Sequence, residues 1–290
     1  MEAIQRKTLL DALRGGLARV MAGKTGECEQ ALAVLLAGGH LLLEDVPGTG
    51  KTMLARTLAR LTGCGFARVQ CTPDLLPSDV TGTSLYDMRQ NEFVFHPGPA
   101  FTNVLLADEL NRATPRTQAA LLECMEERQV TTDGVTRRLD APFFVIATQN
   151  PIEIQGTFPL PEAQLDRFMM RVSLGYPNHA ESVEVLRRFT GQSPLETLAP
   201  VADAQAVIAL QRDVTEVAVS DDVANYVVAL GEATRVQAGV YLGASTRALL
   251  ALERAAQAWA MLAGRDYVTP DDVKAIAVPV LAHRLSVEGS

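Results

Sequence analysis

The residues with the clearest chemical potential are Pro47, Gly48, Thr49, Gly50, Lys51, Thr52 and Met53, preceded by Glu44-Asp45-Val46. A Gly-rich turn of this kind, between an apolar strand and a run of helix formers, aims backbone N–H groups at an anion. The helix N-terminus behind it favours negative charge, so the stretch suits a polyphosphate. Lys51 is spaced to reach the β- and γ-phosphates of ATP, and the Thr52 hydroxyl to bind Mg²⁺. The general phosphate-loop pattern opens with Gly, where this chain has Asp45. Asp tolerates unusual turn dihedrals, so the departure bears on how the loop begins more than on its cradle.

A second group of polar residues closes two further apolar runs. Asn103-Val104-Leu105-Leu106-Ala107 leads into Asp108 and Glu109, and Phe143-Phe144-Val145-Ile146-Ala147-Thr148-Gln149 leads into Asn150. Parallel strands present ligands at their C-terminal ends, which would place all three beside the phosphate loop. Asp108 is the expected Mg²⁺ holder, acting through the metal's water shell. Glu109 is the expected base that polarises the attacking water, and Asn150 can orient that water or touch the γ-phosphate. Taken alone, the acidic pair equally suits a solvated loop, and Asn150-Pro151 equally suits a turn. Charge developing on a transferred phosphoryl group calls for an Arg, often supplied by a neighbour. Arg167 and Arg247 are the candidates, although on propensity alone either reads as a surface residue.

The elements that must position these groups are legible from periodicity. Short apolar runs at 40–43, 66–71, 103–109, 143–150 and 168–174 predict buried parallel strands. Residues 1 to 37 predict two helices broken at Gly23 and Gly26, and Val20–Lys24 could cover an adenine. Two hairpins are expected, one at 84–95 around Met88-Arg89-Gln90-Asn91 and one at 128–138 with Asp133-Gly134 at its tip. Beyond Pro177 the pattern turns helical, with stretches at 180–189, 204–212, 221–235, 245–262 and 270–285 and no further strand. The expected division is an α/β core at 1–177 and a helical domain at 178–290.

Composition narrows the function. At 290 residues with 48% hydrophobic content the chain can bury a large core, and its net charge of −8 weighs against a standing role on nucleic acid. No apolar run approaches the ~20 residues of a membrane helix, and the first residues lack a signal-peptide core. Cys28, Cys64, Cys71 and Cys124 are scattered, which fits free thiols in a reducing cytoplasm.

Five segments carry a resemblance to a known family. They are residues 36–48, Asp108-Glu109-Leu110-Asn111-Arg112-Ala113, Glu126-Glu127-Arg128-Gln129-Val130-Thr131, Ala147-Thr148-Gln149-Asn150-Pro151, and 159–168 ending in Leu165-Asp166-Arg167-Phe168. Together with the loop at Lys51 they resemble the MoxR family of AAA+ ATPases over about residues 20 to 285. The resemblance implies a Walker B pair at Asp108-Glu109, sensor 1 at Asn150, an arginine finger at Arg167 and sensor 2 at Arg247. It makes the hairpins the helix-2 insert and the pre-sensor-1 hairpin, and it includes Asp45 as well as Asn111 and Arg112. It further implies a homo-oligomeric, hexameric ring that hydrolyses ATP with Mg²⁺ to remodel or mature client proteins. Insertion of a metal cofactor is one such task, and the expected partner bears a von Willebrand factor type A domain. Three other readings stand beside it: a magnesium-chelatase-like motor subunit, a nucleic-acid motor favoured by Arg137-Arg138, and a scaffold that holds ATP without turnover.

Overall fold

The computed structural model describes residues 1–89, 91–151 and 156–287. Gln90, in the turn expected for the first hairpin, lies outside them. The chain opens with α1 (Ala3–Val20) and α2 (Thr25–Leu36), then enters β1 (Leu41–Glu44), α3 (Lys51–Leu61), β2 (Phe66–Gln70) and α4 (Pro77–Thr81). A hairpin follows, β3 (Gly82–Asp87) with β4 (Glu92–Pro97), and then β5 (Val104–Asp108) and α5 (Pro115–Glu127). The second hairpin is β6 (Gln129–Thr132) with β7 (Val135–Arg138), followed by β8 (Phe144–Gln149), α6 (Glu162–Leu165) and β9 (Met170–Val172). Helices α7 (His179–Arg188), α8 (Ala204–Thr215), α9 (Asp221–Val236), α10 (Thr246–Leu262) and α11 (Pro270–Leu281) complete the chain with two short strands, β10 (Val240–Leu242) and β11 (Ser286–Val287).

The five long-range strands form one parallel sheet in the order β2-β5-β8-β1-β9. Their side chains alternate between two buried faces, which is why each reads as an unbroken apolar run. Leu41, Leu43, Val104, Leu106, Phe144 and Ile146 point into one core with α1, α2 and α3. Leu42, Leu105, Ala107, Val145 and Ala147 point into the other with α5. Truncating a fully buried Leu here, such as Leu42, would cost about 2–5 kcal/mol. The alternation therefore fixes the register, and the register fixes which strand ends carry which polar residues.

Both hairpins form where expected. Asp133 and Gly134 have φ of 55° and 74°, the paired positive angles that a two-residue hairpin turn requires. The hairpins also touch, since the Arg137 guanidinium lies 3.8 Å from the centre of the Phe95 ring. Arg137 is thus engaged in holding β7 against β4.

Two local expectations need correction. Gly26 does not break a helix but lies in the first turn of α2, and the break falls at Gly23, with φ of +71°. The C-terminal half is not free of strands, because β10 pairs with β11. Two or three residues are too few to show alternation in sequence, and that pairing exists only because α11 returns the chain to β10.

The late helices pack on the sheet and on α2. Helix α10 lies against α2 and α8, and α11 lies against β9. Buried Arg284 pins this junction by donating to Asp166 Oδ1 at 2.6 Å and to the Phe168 carbonyl at 2.7 Å. His283 Nε2 donates to the same carbonyl at 2.9 Å.

A candidate nucleotide site and a second cationic cavity

The loop after β1 has the backbone its glycines allow. Gly48 and Gly50 take φ of +84° and +96°, angles that side chains resist, and Gly50 caps α3. Asp45 is 6% exposed and both of its carboxylate oxygens are hydrogen-bonded. Oδ2 accepts from the Gly175 N–H at 2.6 Å and from Ser173 Oγ at 3.4 Å, while Oδ1 accepts from the Val46 N–H at 2.9 Å. The residue that departs from the general pattern therefore ties the start of the loop to the segment leaving β9. Lys51 Nζ donates to the carbonyls of Asp45 and Val46 at 2.8 and 2.7 Å. Burial lowers its pKa from the ordinary lysine value, opposed by the carboxylates of Asp45, Asp108 and Glu109.

A cavity of ≈ 480 Å³ gathers Pro47, Gly48, Gly50, Lys51, Thr52 and Met53 from the loop with Asp108, Glu109 and Asn150 from the ends of β5 and β8. Thr49 turns into an adjoining cavity of ≈ 280 Å³ lined by Val20, Met21, Ala22, Lys24, Pro177, Val185 and Phe189. The two share Gly48, Gly50 and Met53. A chamber lined by charged and amide groups beside an apolar one suits a molecule with a phosphate tail and a flat ring. Among the described residues no group of three or more His, Cys, Asp or Glu is placed to hold a metal alone. One carboxylate and one hydroxyl suit Mg²⁺, which keeps waters and shares substrate phosphates.

The two carboxylates are held in different ways. Asp108 Oδ1 accepts from Thr148 Oγ1 at 2.7 Å, and Oδ2 accepts from Arg68 Nε and Nη2 at 3.1 and 2.6 Å. Glu109 sits at φ 57°, ψ 49°, the left-handed region. A non-Gly residue there is strained by about 1–3 kcal/mol, and such strain clusters at functional sites. Its N–H donates to Thr148 Oγ1 at 2.8 Å, and its carboxylate accepts from Gln70 Nε2 at 2.9 Å and Arg112 Nη1 at 3.1 Å. Asn150 is buried beside them.

Arg167 and Arg247 are brought together, but elsewhere. They line a cavity of ≈ 240 Å³ with Glu126, Arg128, Asp166 and Arg284. Glu126 bridges the pair, accepting from Arg167 Nη1 at 2.9 Å and from Arg247 Nη2 at 2.8 Å. Arg247, expected to tie the second domain to the γ-phosphate, lies here against the end of α5 and not along the phosphate-loop cavity. The cause is the packing of α10 on α2 described above.

Arg68, Gln70, Thr148 and Glu126 were not singled out from sequence. Thr148 and Asn150 are two apart on a strand and so share a face, as do Arg68 and Gln70, and that spacing was the available signal. Arg112 has a contact to Glu109 that spacing of three in a short helical turn supplies.

Residues 40–170 match the ATPase family associated with various cellular activities (AAA), and residues 232–289 match the AAA lid domain. The chain is 52% identical over 267 residues to YeaC of Bacillus subtilis, an uncharacterized protein, spanning 92% of this chain and 83% of that one. It is 42% identical over 276 residues to chaperone MoxR1 of Mycobacterium tuberculosis, spanning 92% and 73%. A crystal structure from Cytophaga hutchinsonii superposes with a TM-score of 0.92 at 39% identity, covering 99% of this chain and 90% of that one. An AAA ATPase domain with this lid, on a chain this close over nearly its whole length to a MoxR chaperone, belongs to the MoxR family of AAA+ ATPases.

Proposed function

We propose that the chain hydrolyses ATP at the cavity between the phosphate loop and the ends of β5 and β8. The observation that carries this is the convergence of Lys51, Thr52, Asp108, Glu109 and Asn150 on one 480 Å³ space. The phosphates lie on the backbone of Gly48–Thr52, and the adenine lies in the apolar chamber beside Val20–Lys24. Lys51 exchanges its two loop carbonyls for phosphate oxygens. Thr52 and Asp108 would hold Mg²⁺, which when bound would supply positive charge against the phosphates. Glu109 takes the proton of the attacking water, and Asn150 orients that water. Glu109→Gln keeps size and hydrogen bonding but cannot take a proton. It should bind ATP with wild-type affinity while turnover falls roughly 10²–10⁴-fold. Turnover of radiolabelled ATP near the wild-type rate in that variant would assign the base elsewhere.

The second cavity supports a shared site. Arg167 and Arg247 stand side by side on Glu126, away from the chain's own phosphate loop, as two cations that would exchange that carboxylate for a neighbour's γ-phosphate. A closed head-to-tail ring, a hexamer in this reading, makes every such junction equivalent. Residues 1–177 form its ATPase core and 178–290 its helical lid. Family membership supports, as part of this proposal, work on a client protein, including metal-cofactor insertion through a partner with a von Willebrand factor type A domain. The related MoxR1 carries the name chaperone. Among the described residues no helix is long and apolar enough to cross a membrane.

A further inference from the structure

The carboxylate expected to serve the metal already has a cation. Arg68 donates twice to Asp108 Oδ2, Thr148 occupies Oδ1, and the Arg68 side chain is about half exposed (47%) at the rim of the same cavity. Arg68 and Gln70 share a face of β2, and Arg68 Nη2 also donates to Gln70 Oε1 at 2.7 Å. That bond fixes the Gln70 amide so that its Nε2 donates to Glu109 Oε2. One guanidinium therefore touches both halves of the acidic pair, Asp108 directly and Glu109 through an amide whose orientation it sets.

We propose that Arg68 is a positioning residue, an internal counter-cation that occupies Asp108 until Mg²⁺ displaces it. The inference rests on the nucleotide-site reading above. Its physical basis is exclusion. A hydrated Mg²⁺ donates water hydrogens to the lone pairs of Asp108, and those of Oδ2 are filled by two guanidinium N–H groups. A guanidinium at that carboxylate also repels the arriving dication. Half exposure gives Arg68 room to swing into solvent, while Asp108, held by Thr148 on its other oxygen, stays in place.

The test is a Mg²⁺ titration of the full chain with a fluorescent ATP analogue, read as binding and not as turnover. Wild type, Arg68→Gln and Arg68→Lys are compared, each with its melting temperature to establish folding. Arg68→Gln should lower the Mg²⁺ concentration for half-maximal binding by about two- to tenfold, the scale of a charge-assisted bond reduced by solvent screening. Arg68→Lys, a single point charge without the fork, should fall between. Metal-free binding, measured with a chelator, should be unchanged. An unchanged or raised Mg²⁺ midpoint in a folded Arg68→Gln protein overturns the proposal. So does weaker metal-free binding, which would make Arg68 a phosphate ligand. If the wild type binds no nucleotide with or without Mg²⁺, the nucleotide-site reading itself fails, a result distinct from either.

Discussion

Replacing Asp45 by Gly would restore the general phosphate-loop pattern, and the structure says that it should harm this protein. The buried carboxylate accepts from the Gly175 N–H at 2.6 Å, the Val46 N–H at 2.9 Å and Ser173 Oγ at 3.4 Å. Losing hydrogen bonds to a charged group costs about 1.5–3 kcal/mol, and the extra freedom of Gly in the unfolded chain adds roughly 0.5–1 kcal/mol. Unfolding entropy of about 2.1 cal/mol/K per residue gives roughly 0.6 kcal/mol/K for a chain of 290 residues. The expected fall in melting temperature for Asp45→Gly is thus about 3–7 °C. Asp45→Asn keeps one acceptor oxygen and should fall by about half as much. Differential scanning calorimetry gives these shifts, and amide exchange at Gly175 gives the local one, since that N–H should lose protection in Asp45→Gly first. A melting temperature within about 1 °C of wild type, with Gly175 still protected, would refute the staple and return Asp45 to being a tolerated turn residue.

Lys51→Ala should weaken ATP binding by roughly 10- to 150-fold, the worth of one charge-assisted phosphate contact, and calorimetry on the folded variant checks it. Mixing inactive Glu109→Gln and inactive Arg167→Ala subunits at equal amounts should restore about a quarter of the ATPase activity, because two independent choices must fall right at each junction of a closed ring. Absence of recovery, with subunit exchange demonstrated, would rule out a site shared between chains. Stability should also depend on buried His40, whose Nδ1 accepts from the Val145 N–H while Nε2 donates to the Met125 carbonyl. Burial pushes its pKa down to about 4, so the unfolded chain takes a proton below about 6.5 that the folded chain refuses. Its contribution is present above pH 6.5 and is lost as pH falls toward 4. Urea unfolding at pH 7, 5.5 and 4.5 should show a shallower decline for His40→Gln than for wild type.

The sequence by itself determined the sheet, the phosphate loop and the ends of β5 and β8. Each strand is buried on both faces, so its apolar run is continuous, and parallel strands deliver their terminal polar residues to one edge. Lys51, Asp108, Glu109 and Asn150 could be placed together for that reason alone. The Asp-Gly turn of the second hairpin was legible because only residues tolerant of positive φ sit there. What tertiary structure alone decided are contacts between segments far apart in the chain. Asp45 finds Gly175 across 130 residues, and Arg68 finds Asp108 across 40 because β2 and β5 are neighbours with a particular register. Glu126 gathers Arg167 and Arg247 only because α10 packs on α2 and α11 on β9. Periodicity tells which face of a helix is apolar, but the partner of that face is chosen by the packing of the whole, and here that choice set Arg247 beside Arg167 and away from the chain's own phosphate loop.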